Sequence, residues 1–210
     1  AFGGGTVTVT LAKSNPSDLA GPRLVLWTGG FDSTFRVCYL LLVERIDVQP
    51  IYVIDPDRRS TFLELRAMAA IRDKLRERGG ARLWPTRIYN RSDYCVPPYL
   101  QRLYEAIKAR ANIGEQYLWL AAIAEAEGWE GVELGEQGPP EVTDWHKIVF
   151  KNPPYSDELS SLPEAQLFKY WKFPLLNWSK KDMYEEAVRR GFDDILIMRW
   201  FCHRPILGRA

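Results

Sequence analysis

The stretch Leu24 to Arg36, LVLWTGGFDSTFR, decides the fold. Leu24, Val25, Leu26 and Trp27 form a short apolar run that stops at Thr28-Gly29-Gly30. The polar quartet Asp32, Ser33, Thr34 and Arg36 then opens an apolar segment that runs to Val43. This succession predicts strand, tight glycine loop and helix. Two glycines let backbone N–H groups approach a ligand with no Cβ in the way. A helix start leaves N–H donors unpaired and carries about half a positive charge, worth ~0.3–2 kcal/mol to an anion seated there. Thr28, Ser33 and Thr34 add hydroxyls around the same hollow. A Gly-Gly turn capped by Asp32 or Ser33 would use the same residues with no ligand.

Outward from this stretch, strands and helices alternate. Phe35 to Glu44 reads as the first helix, with Cys38 a buried thiol among apolar neighbours. VQPIYVID (48 to 55) reads as a second, parallel strand. In a doubly wound sheet its end lies beside the first loop, which makes Asp55 and Asp57 candidates for nucleotide contacts; an Asp-Pro-Asp turn is the other reading. Leu65, Met68, Ile71 and Leu75 recur at helical spacing between Ser60 and Arg78, and Gly79-Gly80 ends that helix. Arg82 to Tyr89 supplies a third strand, demoted to an edge by Pro85.

Leu100, Leu103, Tyr104 and Ile107 mark a short helix. The segment Glu115 to Glu127 is apolar nearly all round, as in a helix covered on both sides. GVELG (131 to 135) is a short strand ending in glycine. EQGPPEVTDWH (136 to 146) has the composition of turns. Ser161 with Glu164 predicts a capping box that starts a further helix, and Ser179 with Asp182 predicts a second one, whose helix stops at Gly191. Ile195 to Met198 reads as a strand, and TVTVTL near the start as a peripheral one. The alternation is that of an open parallel sheet.

At 210 residues and 46% hydrophobic content the chain can bury one full core, so residues 1–210 are expected to be a single domain. A net charge of +1 gives no bulk electrostatic surface for nucleic acid or membrane. No apolar run is long enough to span a bilayer, and AFGGGTVTVT lacks the basic and apolar regions of a signal peptide. Three scattered cysteines, Cys38, Cys95 and Cys202, fit a reducing compartment, and a cytoplasmic location is expected.

The loop has neither GxxxxGK[ST] nor GxGxxG. It resembles instead the pyrophosphate loop S-G-G-x-D-S of the PP-loop ATP pyrophosphatases, with Thr28, Gly29, Gly30, Asp32 and Ser33 at the matching positions. Beyond it, ARANIG (109 to 114), the end of the apolar helix with Gly135, and Ser179-Lys180 followed by Asp182-Met183 are similar to segments of the 7-cyano-7-deazaguanine synthases. WFCHRPILGRA (200 to 210) is similar to the start of that family's zinc region, in which one cysteine precedes a tight C-G-x-C-x-x-C. Here only Cys202 stands at such a position, and one thiolate does not make a closed tetrahedral site. Either the remaining ligands lie beyond the residues given or the zinc is lost; the first is expected.

The resemblance implies a Rossmann-like fold of the adenine nucleotide alpha hydrolase-like class, an open parallel five-stranded sheet with helices on both faces. It implies ATP held on Thr28, Gly29, Gly30, Phe31, Asp32, Ser33 and Thr34 with Asp55 nearby, magnesium bridging the phosphates, and zinc as a further metal at Cys202. The implied reaction joins 7-carboxy-7-deazaguanine and ammonia through carboxylate adenylation to give the nitrile. Such a reaction needs in-line positioning and cancelled phosphate charge rather than a nucleophilic side chain. Lys180 and Arg110 are the cations chosen for that charge, Asp32 orients the loop or holds magnesium through water, and Ser33 belongs to the same catalytic set. Trp27, Phe31 and Trp119 are candidates to stack on a purine-like ring. A homodimer is expected, with no direct nucleic-acid contact. Two other readings stand beside this one: a pyrophosphatase of the same superfamily that amidates or sulfurates another substrate, transfer RNA included, and a nucleotide-binding module that modifies or senses a partner protein. No C-x-x-C of the thiolating kind is present.

Overall fold

The computed structural model describes residues 21–138 and 143–200. Five strands lie in the order β3-β2-β1-β4-β5, each parallel to its neighbours. They are β1 (Arg23–Leu26), β2 (Val48–Ile54), β3 (Arg87–Asn90), β4 (Val132–Leu134) and β5 (Trp171–Lys172). Side chains alternate across the sheet as a period of two requires. Val25, Trp27, Val48 and Tyr52 enter one layer; Leu26, Ile51, Val53, Val132 and Leu134 enter the other. Helices α1 (Phe31–Cys38), α2 (Thr61–Arg78), α6 (Lys180–Arg190) and α7 (Asp193–Leu196) fill the first layer. Helices α3 (Pro98–Lys108), α4 (Gln116–Ala126) and α5 (Asp144–Val149) fill the second. With both faces covered, β2 has almost no polar side to show, which is why it reads as a near-continuous apolar run. This is the α/β, Rossmann-like architecture expected of the sequence.

The chain leaves β1 through α1 toward β2 and leaves β4 in the opposite direction toward β5. No crossover helix therefore closes the space outside the carboxyl ends of β1 and β4, and a crevice opens there. Its two sides are joined beneath the surface. Arg36 of α1 meets Glu133 of β4 through two hydrogen bonds, Nε to Oε2 at 2.5 Å and Nη2 to Oε1 at 3.0 Å, and Glu133 is 2% exposed. Arg23 adds a third donor to Glu133 at 3.1 Å, and Glu44 receives the remaining face of Arg36 at 2.6 Å.

Several elements differ from the sequence expectation. The first helix starts at Phe31 rather than Phe35, with Gly30 as its extended cap, and Tyr39–Glu44 continues it in π-helical form to a left-handed Arg45. The third strand begins only at Arg87. Pro85 cannot donate to a ladder, and upstream of it only Leu83 touches Val48 as an isolated bridge. Asp144–Val149 is a helix that begins within the stretch read as turns and runs past its end. The Ser161–Glu164 box does not form. Leu162 precedes a 3₁₀ segment, Pro163–Phe168, and Glu164 turns instead to Arg110.

Ile195 to Met198 is not a strand. Asp193 and Asp194 favour a helix start, and Ile195 and Leu196 bury themselves with Phe35 and Phe192 on the α6 side. The free edge of β4 is taken by Trp171–Lys172, which becomes the fifth strand in place of Ile195 to Met198. The Ser179–Asp182 box is present in both directions, and α6 ends at Gly191 with φ 72°. Cys38 is fully buried, which pushes its thiol well above the usual range. The TVTVTL strand and Cys202 lie outside the described residues.

Candidate functional site

A cavity of about 920 Å³ occupies the crevice. One rim is the end of β1 and the start of α1, supplying Leu26, Thr28, Gly30, Phe31, Asp32 and Ser33. The loop is built by two constraints on its first glycine. Gly29 has φ 70°, and a Cβ there would stand 3.1 Å from both the Glu64 carbonyl oxygen and Met68 Cγ of α2. Only glycine satisfies both without strain. The Gly29 carbonyl accepts from Trp200 N at 2.9 Å, and Gly30 takes an extended conformation that starts α1.

The hydroxyls divide their work. Ser33 Oγ accepts from Thr28 N at 3.4 Å and lies 3.5 Å from Thr28 Oγ1, so both sit at the mouth of the loop. Thr34 is fully buried and accepts from Trp27 Nε1 at 3.0 Å. Its hydroxyl is committed to the core, and Trp27 is a core residue rather than a stacking platform. Asp32 faces the cavity with Oδ1 buried and, among the described residues, without a hydrogen-bond partner. Burial pushes its carboxyl above the usual carboxylate range; Lys180 opposes this, Glu136 adds to it and Arg199 opposes it.

The second rim belongs to β4 and α4: Leu134, Gly135, Glu136, Gln116, Tyr117 and Trp119. Gly135 is where the rims touch. A Cβ on it would lie 3.0 Å from Ser33 N and 3.1 Å from Ser33 Cα, so the strand end and the helix start fit only because that side chain is absent. Tyr117 Oη donates to Glu136 Oε2 at 2.7 Å. Burial and the adjacent carboxylate hold the Tyr117 phenol well above its ordinary range, which keeps it a donor.

Cations close the remaining sides. Lys180 stands at the first position of α6, whose start is fixed by the Ser179–Asp182 box, and its charge acts on Asp32 across the cavity. Arg199 lies over the Phe31 ring at 4.9 Å. Arg58 and Arg59 line the β2 side, where Arg58 also reaches Glu64 at 3.3 Å. Asp55 and Asp57 line it too. Asp55 Oδ1 accepts from Asp57 N at 3.2 Å and from Arg91 at 3.0 Å, so the turn and the cavity wall are one structure.

The structure thus brings Thr28, Gly30, Phe31, Asp32, Ser33, Asp55 and Lys180 to one cavity, with Gly29 shaping the loop behind them. Arg110 does not line it; its guanidinium pairs with Glu164. Sequence reading missed Arg58, Arg59, Tyr117, Glu136, Arg199 and Trp200. The available signal was the position of Glu136 immediately past a strand-ending glycine, where switch-point crevices gather their ligand contacts. Among the described residues no group of three or more His, Cys, Asp or Glu side chains could hold a metal ion, and no helix is long and apolar enough to cross a membrane. No known family model matches the chain, and no curated protein matches it.

Proposed function

We propose that this protein binds ATP on the β1 rim and adenylates a substrate carboxylate, as the PP-loop ATP pyrophosphatases do. The observation that carries the reading is the juxtaposition, in one switch-point cavity, of a glycine loop at a helix start with four cations, Lys180, Arg199, Arg58 and Arg59. Backbone N–H groups of the loop and the Thr28 and Ser33 hydroxyls would hold phosphate oxygens, and Lys180 and Arg199 would take up the charge that develops as pyrophosphate leaves. Magnesium fits Asp32, whose Oδ1 is buried and has no hydrogen-bond partner among the described residues. This ion characteristically takes one or two carboxylates and completes its shell with phosphate oxygens and water. When bound it would neutralise the phosphates.

The substrate named by the sequence resemblance is 7-carboxy-7-deazaguanine. Its carboxylate oxygen attacks the α-phosphorus and pyrophosphate departs. Ammonia displaces AMP to leave an amide, and a second ATP activates the amide oxygen, which departs with AMP to leave the nitrile. Arg110, engaged by Glu164 away from the cavity, has no part in this scheme. A homodimer and zinc at Cys202 belong to the proposal through the family resemblance alone, and a cytoplasmic location through the scattered cysteines.

The deciding experiment incubates the purified protein with ATP, Mg²⁺, ammonium and 7-carboxy-7-deazaguanine and follows pyrophosphate release and product mass. Release that depends on the acid, together with the nitrile product, is expected. Absence of ATP affinity would overturn the nucleotide assignment, and ATP affinity without acid-dependent release would overturn the substrate.

A further inference from the structure

The β4 rim holds an acidic side chain to which the reading proposed above gives no role. Glu136 follows β4 directly and is supported from two helices. Tyr117 of α4 donates to its Oε2 at 2.7 Å, and Nε2 of His146 on α5 stands 3.7 Å from its Oε1. His146 is 2% exposed, its Nδ1 lies 2.9 Å from the Thr143 hydroxyl, and its Nε2 has no hydrogen-bond partner among the described residues. Oε1 of Glu136 also makes no hydrogen bond among the described residues, and the side chain keeps 28% of its surface open at the cavity. One oxygen is therefore pinned and the other is left as a fixed acceptor.

A fixed carboxylate repels a triphosphate and favours N–H donors. The same cavity is lined by Gln116, which is amphoteric in hydrogen bonding, and by the partly buried Trp119, whose ring also meets the Arg91 guanidinium at 5.6 Å. A flat ring with donors on one edge matches this wall, and a charged phosphate does not. We propose that Glu136 reads the acceptor substrate, accepting hydrogen bonds from the donor edge of a planar, guanine-like heterocycle, with Tyr117 and His146 as positioning residues. The guanine-like edge and the placement of the acceptor opposite the triphosphate rest on the reading proposed above.

The test is calorimetric titration of wild type, Glu136→Gln and Tyr117→Phe with two probes, 7-carboxy-7-deazaguanine and its analogue lacking the exocyclic amine. A non-hydrolysable ATP analogue with Mg²⁺ is titrated separately. For Glu136→Gln, which exchanges an acceptor for a donor at constant shape, the guanine-edged probe is expected to bind about tenfold or more weakly, while the ATP analogue stays within about twofold. Wild type should prefer the amine-bearing probe and Glu136→Gln should not. Tyr117→Phe, which keeps the carboxylate and removes its support, should give a smaller loss of the same preference, and it carries the test if Glu136→Gln does not fold.

Equal probe affinity in wild type and both variants would overturn the assignment, as would failure of wild type to bind either probe. A loss confined to the Mg²⁺–ATP analogue would also overturn it, by giving Glu136 to the cation. Failure of wild type to bind the ATP analogue, with the probe preference intact, would sink the nucleotide reading and leave Glu136 in its role.

Discussion

The two rims of the crevice are made of different material. On the β1 rim the chemistry is mostly backbone: an extended Gly30, a left-handed Gly29 and the open end of α1, assembled from neighbours in sequence. On the β4 rim it is side chains: Glu136 from the strand end, Tyr117 from α4 and His146 from α5, assembled by the tertiary fold. A backbone rim suits any phosphate, because N–H groups carry no identity beyond their charge preference. A side-chain rim can discriminate, because a carboxylate accepts donors and refuses anions. On the function proposed above, a protein built this way could keep a general nucleotide grip and alter its second substrate independently.

The largest effect is expected where the rims are joined. Glu133→Ala would leave Arg36 buried without its main partner, at a cost of about 3–5 kcal/mol in urea unfolding. A loss below about 1 kcal/mol would show that the rims are held together by apolar packing alone. Next comes Gly135→Ala, which places a Cβ against the Ser33 backbone. A cost of about 1–3 kcal/mol is expected, since backbone must shift. A roughly tenfold or greater loss of ATP-analogue affinity should accompany it, because the loop itself is displaced. Unchanged affinity would mean that the two rims move as independent bodies.

Ser179→Ala sharpens the comparison from the cation side. Removal of the α6 cap should cost about 1 kcal/mol and loosen Lys180, weakening nucleotide binding with no change in the preference between acceptor probes. The smallest change in stability is expected at Asp32, where the sign is the informative part. Burial raises its folded pKa, Lys180 opposing and Glu136 adding. The folded state then binds the proton more tightly than the unfolded chain, so this contribution favours folding at low pH. It is lost as pH climbs from the ordinary carboxylate range through the raised folded value. Asp32→Asn should therefore raise the urea midpoint at neutral pH and flatten its acid dependence while removing pyrophosphate release. An unaltered pH profile would place the carboxylate in a better-solvated setting than the cavity provides.

The difference between the rims also explains which features are legible in the sequence. Strand, glycine loop and helix between Leu24 and Arg36 are local, and so is the all-round apolarity of α4; each announces itself in consecutive residues. The Ser179–Asp182 box is equally local and is found as expected. Ser161 and Glu164 fit the same pattern and fail, because Arg110, just beyond the end of α3, takes the Glu164 carboxylate from the helix start. Ile195 to Met198 has the composition of a strand, yet an edge two residues long, Trp171–Lys172, already pairs with β4. Short apolar runs do not reveal which of them reaches the sheet. Glu136, Tyr117 and His146 share no spacing that would flag them, since their meeting is decided by how α4 and α5 cross β4. Thr34 fails as a loop hydroxyl for a similar reason: its neighbour across the turn is the buried Trp27 indole.

The bond from Trp200 N to the Gly29 carbonyl has a consequence at the other end of that peptide. In a trans amide the C=O and the following N–H project in opposite directions, so holding the Gly29 oxygen also dictates where the Gly30 hydrogen faces. Turning that plane over would require Trp200 to let go first. A shift of residues 197–200 would thereby redirect a donor in the glycine turn without disturbing any of the turn's own side chains.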